Sequence, residues 1–328
     1  MNTMKWLLRR EFWEHKGAFF WAPVVVAAAM VVLLGGAALY GVASGHAASI
    51  TVDGDRAITL GAAIDTVTPE MRADLVRVAT SNYLAIASPL FLVMGVVLFF
   101  YCLSALYDDR RDRSILFWKS LPLSDEMTVA SKVATAVGVV PLITIGIATV
   151  MSLAFLLIGA VAAAMHGMKL FGLLFTSINL YLGPLYLLAL LPVYALWALP
   201  TVGWLLMVSA WARSKVFLWA VGIPVVTAVL LKWLTFLIGQ FSGRVISIEW
   251  FIDNVVERIL FGLVPGVWLD QIESPQTLLG SMNHGIEPGM LVAQSWITLA
   301  APGVWAGVLL GGAMIYAAIR LRRWRDEG

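Results

Sequence analysis

The sequence predicts an all-α polytopic membrane protein with six transmembrane helices. Its 328 residues are 60% hydrophobic and only 13% charged, whereas a soluble domain is about 45–50% apolar and about 25% charged. The mean hydropathy is +0.87. Six apolar runs reach the length of about 20 residues that a helix needs to cross a hydrocarbon core about 30 Å thick. The net charge of +2 gives no indication of nucleic-acid binding.

The six runs divide one transmembrane domain, residues 1–328, into spans and loops. The predicted spans are residues 18–44, 83–106, 133–165, 178–212, 216–240 and 298–321. The segments outside them are residues 1–17, 45–82, 107–132, 241–297 and 322–328. The first apolar run is longer than the 7–15 apolar residues of a signal peptide, so it is interpreted as an uncleaved span.

The first segment, residues 1–17, predicts an amphipathic helix on the cytoplasmic surface. Its apolar residues recur along one side of a helix, at Met4, Leu7, Leu8 and Phe12. Bases lie among them, and two tryptophans, Trp6 and Trp13, suit the level of the lipid headgroups.

The distribution of Lys and Arg predicts the orientation. One set of helix ends carries most of the 22 bases: Lys5, Arg9, Arg10, Lys16, Arg110, Arg111, Arg113, Lys119, Lys132, Arg213, Lys215, Arg320, Arg322, Arg323 and Arg325. The opposite loops carry Arg56, Arg72, Arg77, Lys169, Arg244 and Arg258. Since basic loops stay on the cytoplasmic side, both termini and residues 107–132 are predicted to be cytoplasmic.

The region 170–212 is long enough for two spans. It contains Pro184, Pro192 and Pro200, and proline kinks or breaks a helix. Two spans would move the C-terminal basic cluster to the outside, against the positive-inside rule. One kinked span, residues 178–212, is therefore favoured.

Two external segments carry helical patterns. In residues 45–82, Thr68, Pro69 and Glu70 form a helix-start signal. In residues 241–297, an amphipathic stretch at 248–263 predicts a helix that lies on the outer leaflet or dips into it as a re-entrant helix. Its acidic stripe, Glu249, Asp253 and Glu257, is either the solvated face of that helix or an attractive site for a cation.

No motif for catalysis, a cofactor or a metal is found. The chain lacks the P-loop, the G-x-S-x-G elbow and H-E-x-x-H. The four histidines, His15, His46, His166 and His284, are isolated, and Cys102 is the only cysteine. The chain is not expected to be an enzyme by itself.

The predicted spans contain no Asp or Glu. Ion-coupled carriers usually place ionisable groups inside the membrane. If this protein is a transporter, its energy is therefore expected to come from outside the membrane. The clearest intramembrane charge, Lys232, either extends to the interface or contacts an anionic substrate or headgroup. Tyr181, Tyr186, Tyr194 and Trp197 either pack against neighbours or line a substrate path.

The loop 107–132 is the most informative segment. Beside a cluster of acids and bases it carries four consecutive apolar residues, 115–118, and exposed apolar patches usually mark contact surfaces. The segment either docks a cytoplasmic partner or lies on the membrane surface. The predicted docking residues are Asp108, Asp109, Arg110, Arg111, Arg113, Ile115, Leu116, Phe117, Trp118, Pro122 and Ser124. Ser124 is also expected to cap a helix that begins at Asp125.

This loop resembles the cytoplasmic loop of ABC-2 type transporter permeases. The resemblance lies in the acids and bases, the short apolar segment, Ser120-Leu121-Pro122-Leu123-Ser124 and, after a gap, Lys132. The stretch 199–204, running to 209–213, is similar to the fourth span of one bacterial subgroup. Many members carry a Glu–Arg pair and Gly-Thr-Leu where this chain has Asp108 with Asp109 and Ser114-Ile115-Leu116.

The resemblance implies the permease subunit of a bacterial ATP-binding-cassette transporter, an exporter, in the cytoplasmic (inner) membrane. The loop between spans 2 and 3 would hold the coupling helix, which docks onto a separate cytoplasmic ATPase that binds ATP and Mg. The permease would work with a second copy of itself as a homodimer. A stand-alone carrier and a membrane scaffold or assembly factor are the alternatives, and the substrate stays open.

Overall fold

The computed structural model describes residues 3–44, 49–52, 56–59, 69–112, 124–165, 167–168, 170–242, 251–271 and 288–324. Within these ranges it contains six helical segments that are long and apolar enough to cross a membrane, which confirms the predicted multi-pass helical architecture. They are Gly17–Ala43, Arg72–Arg111, Asp125–Met165, Ile178–Trp211, Val216–Phe241 and Pro302–Trp324.

The helices are named in chain order. They are α1 (Thr3–Glu14), α2 (Gly17–Ala43), α3 (Pro69–Asn82), α4 (Ser88–Ser104), α5 (Tyr107–Arg111), α6 (Asp125–Ala134), α7 (Val140–Met165), α8 (Phe171–Thr176), α9 (Ile178–Trp211), α10 (Val216–Ser242), α11 (Arg258–Phe261), α12 (Pro288–Ile297) and α13 (Pro302–Trp324). Helix α2 includes two π turns, Gly17–Trp21 and Val31–Gly35. Further π and 3-10 turns join or extend helices at Tyr83–Ala87, Thr135–Val139, Ile252–Glu257, Val267–Gln271 and Thr298–Ala300.

A small β-hairpin adds to the predicted helical architecture. Strands β1 (Ser49–Val52) and β2 (Arg56–Thr59) pair antiparallel within the segment 45–82. Two strands of four residues form only a local structure, because an isolated hairpin is marginally stable in water. The spanning part of the chain remains helical.

Helices α9 and α13 form the centre of the bundle. Helix α9 runs unbroken through 34 residues with all three prolines inside it, so the region 178–211 is one helix and not two. The two helices run parallel and touch through glycine. A Cβ placed on Gly203 would lie 2.5 Å from the carbonyl oxygen of Gly311. The glycines therefore allow the two backbones to approach more closely than larger side chains would.

The segment 251–271 enters the bundle instead of resting on it. The backbone at Leu263 lies against Gly95, near the middle of α4. The Tyr194 hydroxyl, on α9, donates to the Leu263 carbonyl at 3.4 Å. The segment buries one apolar face: Ile252, Val256, Ile259, Leu263 and Trp268. The described part of the segment thus packs against α4 and α9, and its predicted position in the outer leaflet stays a prediction.

The helix ends define two poles of the bundle. At one pole, named the basic pole here, α1, the junction of α4 with α5, the start of α6 and the end of α13 meet. At the opposite pole α3 packs on the start of α9. There the Thr80 and Ser177 hydroxyls lie 2.9 Å apart, and the Tyr83 hydroxyl donates to the Leu180 carbonyl at 2.9 Å.

Candidate functional site: a buried ion-pair network beside the charged loop

The predicted docking loop is described on both of its flanks. Helix α5 leads into it and helix α6 follows it. The docking residues between them lie outside the described residues: Arg113, Ile115, Leu116, Phe117, Trp118 and Pro122. The flanks show where the described chain leaves the bundle, at Asp112, and where it returns, at Ser124.

The exit flank begins with a capped helix. The Ser124 hydroxyl accepts a hydrogen bond from the Met127 N–H at 3.1 Å, and the Ser124 backbone is extended. Asp125 and Glu126 lie in the first turn of α6, where negative charge is favourable. The predicted Ser124 cap is confirmed, and it fixes the residue at which the loop ends.

The entry flank is bound to the end of α9. The Ser209 hydroxyl accepts hydrogen bonds from the N–H groups of Leu106 and Tyr107, at 3.0 and 2.9 Å. The Arg110 guanidinium donates to the carbonyls of Ser209 and Ala212, at 2.6 and 2.9 Å. A cation suits the C-terminal end of a helix, so α5 is fastened to the end of α9.

A buried ion pair joins α1 to the exit flank. The Glu11 carboxylate lies 3.1 Å from the Lys132 ammonium, and the two side chains are 1% and 3% exposed. The Tyr101 hydroxyl, on α4, donates to the second Glu11 oxygen at 2.8 Å. Both carboxylate oxygens thus have a partner, as a buried charge requires.

The network extends to the end of α13. The Arg322 guanidinium donates to Asp109 at 2.9 Å and to Asp125 at 3.1 Å. The Lys132 ammonium lies 3.7 Å from Asp109. Three carboxylates (Glu11, Asp109 and Asp125) therefore surround two cations, Lys132 and Arg322. We refer to these five residues and Tyr101 as the polar network.

The polar network clamps the two flanks of the loop together. It connects α5 and α6 with α1, α4 and α13 through groups that are buried, apart from Asp125, whose side chain is 17% exposed. Removing one partner of a buried ion pair costs about 3–5 kcal/mol, because the other charge is left uncompensated. The flanks are therefore tied to the spans by several buried contacts.

The predicted docking residues on the entry flank differ in burial and in their partners. Asp109 is 7% exposed and binds Arg322 of the same chain, and Arg110 binds the end of α9. Asp108 is half-exposed and lies 3.8 Å from the exposed Arg111. Asp109 and Arg110 thus face inward and hold the flank, whereas Asp108 and Arg111 face outward.

Sequence reasoning overlooked Glu11 and Arg322 as partners. Glu11 is one helical turn after Leu7, and both are buried on the same face of α1. That spacing was a usable signal, because an acid on the apolar face of a helix needs a buried partner. In the sequence, Arg322 is only one of several bases that predict the orientation of the protein in the membrane.

A second buried charge, Arg258, lies in the interior of the bundle. Its guanidinium donates to the carbonyls of Leu196, Gly303 and Val304 at 3.1–3.3 Å. It also stacks over the ring of Trp197, 4.3 Å from the ring centroid. No ion pair of Arg258 with an acid is seen in the described ranges. Arg258 therefore fastens the segment 251–271 to both central helices through neutral carbonyls.

The other residues considered from the sequence differ in their exposure. Lys232 and Glu257 are exposed, Tyr181 is exposed and Tyr194 and Trp197 are buried in the core. Within the described part of the chain no group of three or more His, Cys, Asp or Glu side chains could hold a metal ion. The acidic stripe is described only at Glu257, since Glu249 and the Asp253 side chain lie outside the described set.

No family model, no curated protein and no solved structure matches this chain.

Proposed function

We propose that this protein is the ABC-2 type permease subunit of a bacterial ATP-binding-cassette exporter. The observation that carries the proposal is the polar network, which fastens both flanks of the loop to the spans. The sequence of that loop includes four consecutive apolar residues, 115–118. Motion of an ATPase bound at the loop would pass through α5 and α6 to α13 and α1. A loop that only joined two spans would have no need of this bracing.

The sequence of the loop suits a docking role. Phe117 and Trp118 would enter a pocket on the ATPase, because aromatic anchors carry much of the energy of protein interfaces. The outward-facing Asp108 and Arg111 would steer the partner by charge. The loop would lie in the cytoplasm with both termini, and the ATPase would bind ATP and Mg.

Two further features support transport driven from outside the membrane. The predicted spans contain no carboxylate that could carry a coupling ion. The buried guanidinium of Arg258, away from the polar network, donates its hydrogen bonds to backbone carbonyls. A second copy of the chain would complete the transporter as a homodimer.

The first test is purification of the tagged chain from its native host in mild detergent. We expect a stoichiometric P-loop ATPase to co-purify, identified by mass spectrometry, with vanadate-sensitive ATP turnover. Phe117→Ala and Trp118→Ala should abolish this assembly while membrane insertion stays intact. Trp305→Ala is the matched control, because Trp305 is an exposed aromatic residue near the start of α13, away from the basic pole.

Normal assembly in both loop variants would contradict the docking role. A chain that purifies alone from several mild detergents and ignores nucleotide would favour a scaffold. Transport by the purified chain driven by an ion gradient would favour a stand-alone carrier.

A further inference from the structure

A cavity of about 510 Å³ lies near the opposite pole, between α2, α3, α7 and α8. Its lining is small and apolar, with Val42 from α2, Val76 from α3, Phe155 and Ala163 from α7 and Leu174 from α8. The volume falls within the range of about 300–1,000 Å³ that is typical of ligand sites. The cavity is separate from the polar network.

The cavity opens sideways from the bundle. Ala38, Ala79 and Gly159 line it and are exposed, while Val76 and Ala160 form a buried floor. Because α2 and α7 are long and apolar enough to span a membrane, we expect the side of the cavity at Ala38 and Gly159 to face the hydrocarbon of the bilayer. An apolar cavity offers water few hydrogen-bond partners, so we expect a hydrocarbon chain to occupy it.

Two polar groups without partners accompany the cavity. The Ser152 hydroxyl lines it, is fully buried and has no hydrogen-bond partner within the described residues. On α3, Arg72 lies one turn before Val76 and on the same face, because residues four apart share a face of a helix. The Arg72 Nε is buried and likewise has no partner among the described residues.

We propose that this cavity binds one acyl chain of an anionic membrane phospholipid, whose phosphate is held by Arg72. A planar guanidinium binds phosphate through paired hydrogen bonds. Arg72 lies in the first turn of α3, one helical turn before Val76, which lines the cavity. The Ser152 hydroxyl offers one hydrogen bond to an ester oxygen or an unsaturated chain. The proposal is independent of the proposed function.

The test uses the purified full-length chain and phosphatidylglycerol that carries a photoreactive diazirine on one acyl chain. We expect peptides of α3 and α7 that line the cavity to be labelled, and excess unlabelled phosphatidylglycerol to compete. Ala160→Phe and Ala163→Phe should each lower this labelling about tenfold by filling the cavity. Val161→Phe, next to Ala160 but exposed, should not.

The headgroup contact is tested with a variant of Arg72, which is not part of the apolar lining of the cavity. Arg72→Gln should weaken phosphatidylglycerol binding about tenfold and leave unchanged the binding of diacylglycerol, which has the same acyl chains but no phosphate. The control is Arg77→Gln, because Arg77 is exposed and paired with Asp74 at 3.5 Å. Labelling that is unchanged by the filling variants overturns the cavity as the chain site. Equal binding of both lipids to wild type and Arg72→Gln overturns the phosphate contact.

The outcomes are distinguishable from those of the docking test. The lipid experiment needs no ATPase, and the Phe117 and Trp118 variants should retain normal labelling. Loss of lipid labelling with an intact ATPase complex, or the reverse, would separate the two proposals.

Discussion

Two buried residues show contrasting ways of holding charge in a largely apolar protein. Glu11 is paired with an ammonium group and a phenol, so its charge is neutralised within the polar network. Arg258 is surrounded by backbone carbonyls and one aromatic face, so its charge is only solvated. In both cases each contact joins elements that are distant in the sequence, and the loss of either side chain should loosen several helices at once.

Glu11→Gln should destabilise the protein by about 3–5 kcal/mol, because the buried Lys132 would lose its closest carboxylate. Chemical unfolding in detergent, followed by tryptophan fluorescence, would measure the change. Glu14→Gln is the control on the same helix. Glu14 pairs with Arg10 at 3.4 Å but is half-exposed, so its loss should cost about 0.3–0.5 kcal/mol.

Adding Lys132→Met to Glu11→Gln should recover part of the lost stability, since the uncompensated cation is then removed. Equal effects of Glu11→Gln and Glu14→Gln would refute the buried pair.

Arg258→Lys should loosen the segment 251–271. A lysine has one ammonium group and cannot reproduce the fork that bridges the carbonyls of Leu196 and Val304. Hydrogen bonds to charged groups contribute about 1.5–3 kcal/mol each. Limited proteolysis of the segment in the purified protein should therefore become faster. Arg77→Lys, at an exposed site, is the control, and unchanged proteolysis in Arg258→Lys would argue against the anchoring role.

At the scale of elements, the contact between α9 and α13 depends on glycine residues, which have no side chain to separate the two backbones. Gly203 meets Gly311, and a side chain on Gly307 would collide with the Arg258 guanidinium. The α9–α13 pair therefore contains both this close backbone contact and the space that the Arg258 guanidinium occupies. The two features are coupled, because a wider crossing would also separate the carbonyls that Arg258 bridges.

Gly311→Ala should lower the stability by about 1–3 kcal/mol, the usual cost of overpacking. A Cβ at this position would lie 2.8 Å from the Leu199 carbonyl carbon and oxygen and from the Pro200 nitrogen, and backbone cannot give way easily. A Cβ on the adjacent Gly312 would point into open space and meet nothing within 4 Å. Gly312→Ala should thus be neutral, or gain up to about 1 kcal/mol of helix propensity. Thermal unfolding of both variants in the same detergent compares them, and equal melting temperatures would rule out the close crossing.

For the whole molecule, the polar network places the start and the end of the helical bundle at one pole, the basic pole. The positive-inside rule predicts that this pole is cytoplasmic, and cysteine labelling tests the prediction. A cysteine placed by Asp74→Cys on α3 should react with a membrane-impermeant maleimide in intact cells. One placed by Glu14→Cys on α1 should react only after permeabilisation. The native Cys102 is fully buried and should give little background, and the reverse labelling pattern would invert the topology.

Much of the fold could be predicted from the sequence, because hydropathy and helix-start signals are local. The six spans follow from apolar runs, and the Ser124 cap follows from Ser-Asp-Glu at a helix start. The partners in the polar network could not be predicted. Glu11 and Lys132 are 121 positions apart, and Asp109 and Arg322 are 213 apart. Local patterns also could not distinguish Asp109 from Asp108, because only the packed bundle decides which of them is buried.

The polar network also has a consequence for how the protein is made. Synthesis proceeds from the N-terminus, at about 5–20 residues per second, so Glu11 and Asp109 emerge long before Arg322. Until the last span is inserted, Asp109 and Asp125 lack the guanidinium that binds both in the finished bundle. Incomplete chains would then carry carboxylates without that counter-charge at the membrane surface, a feature by which quality-control proteases could distinguish them from finished ones.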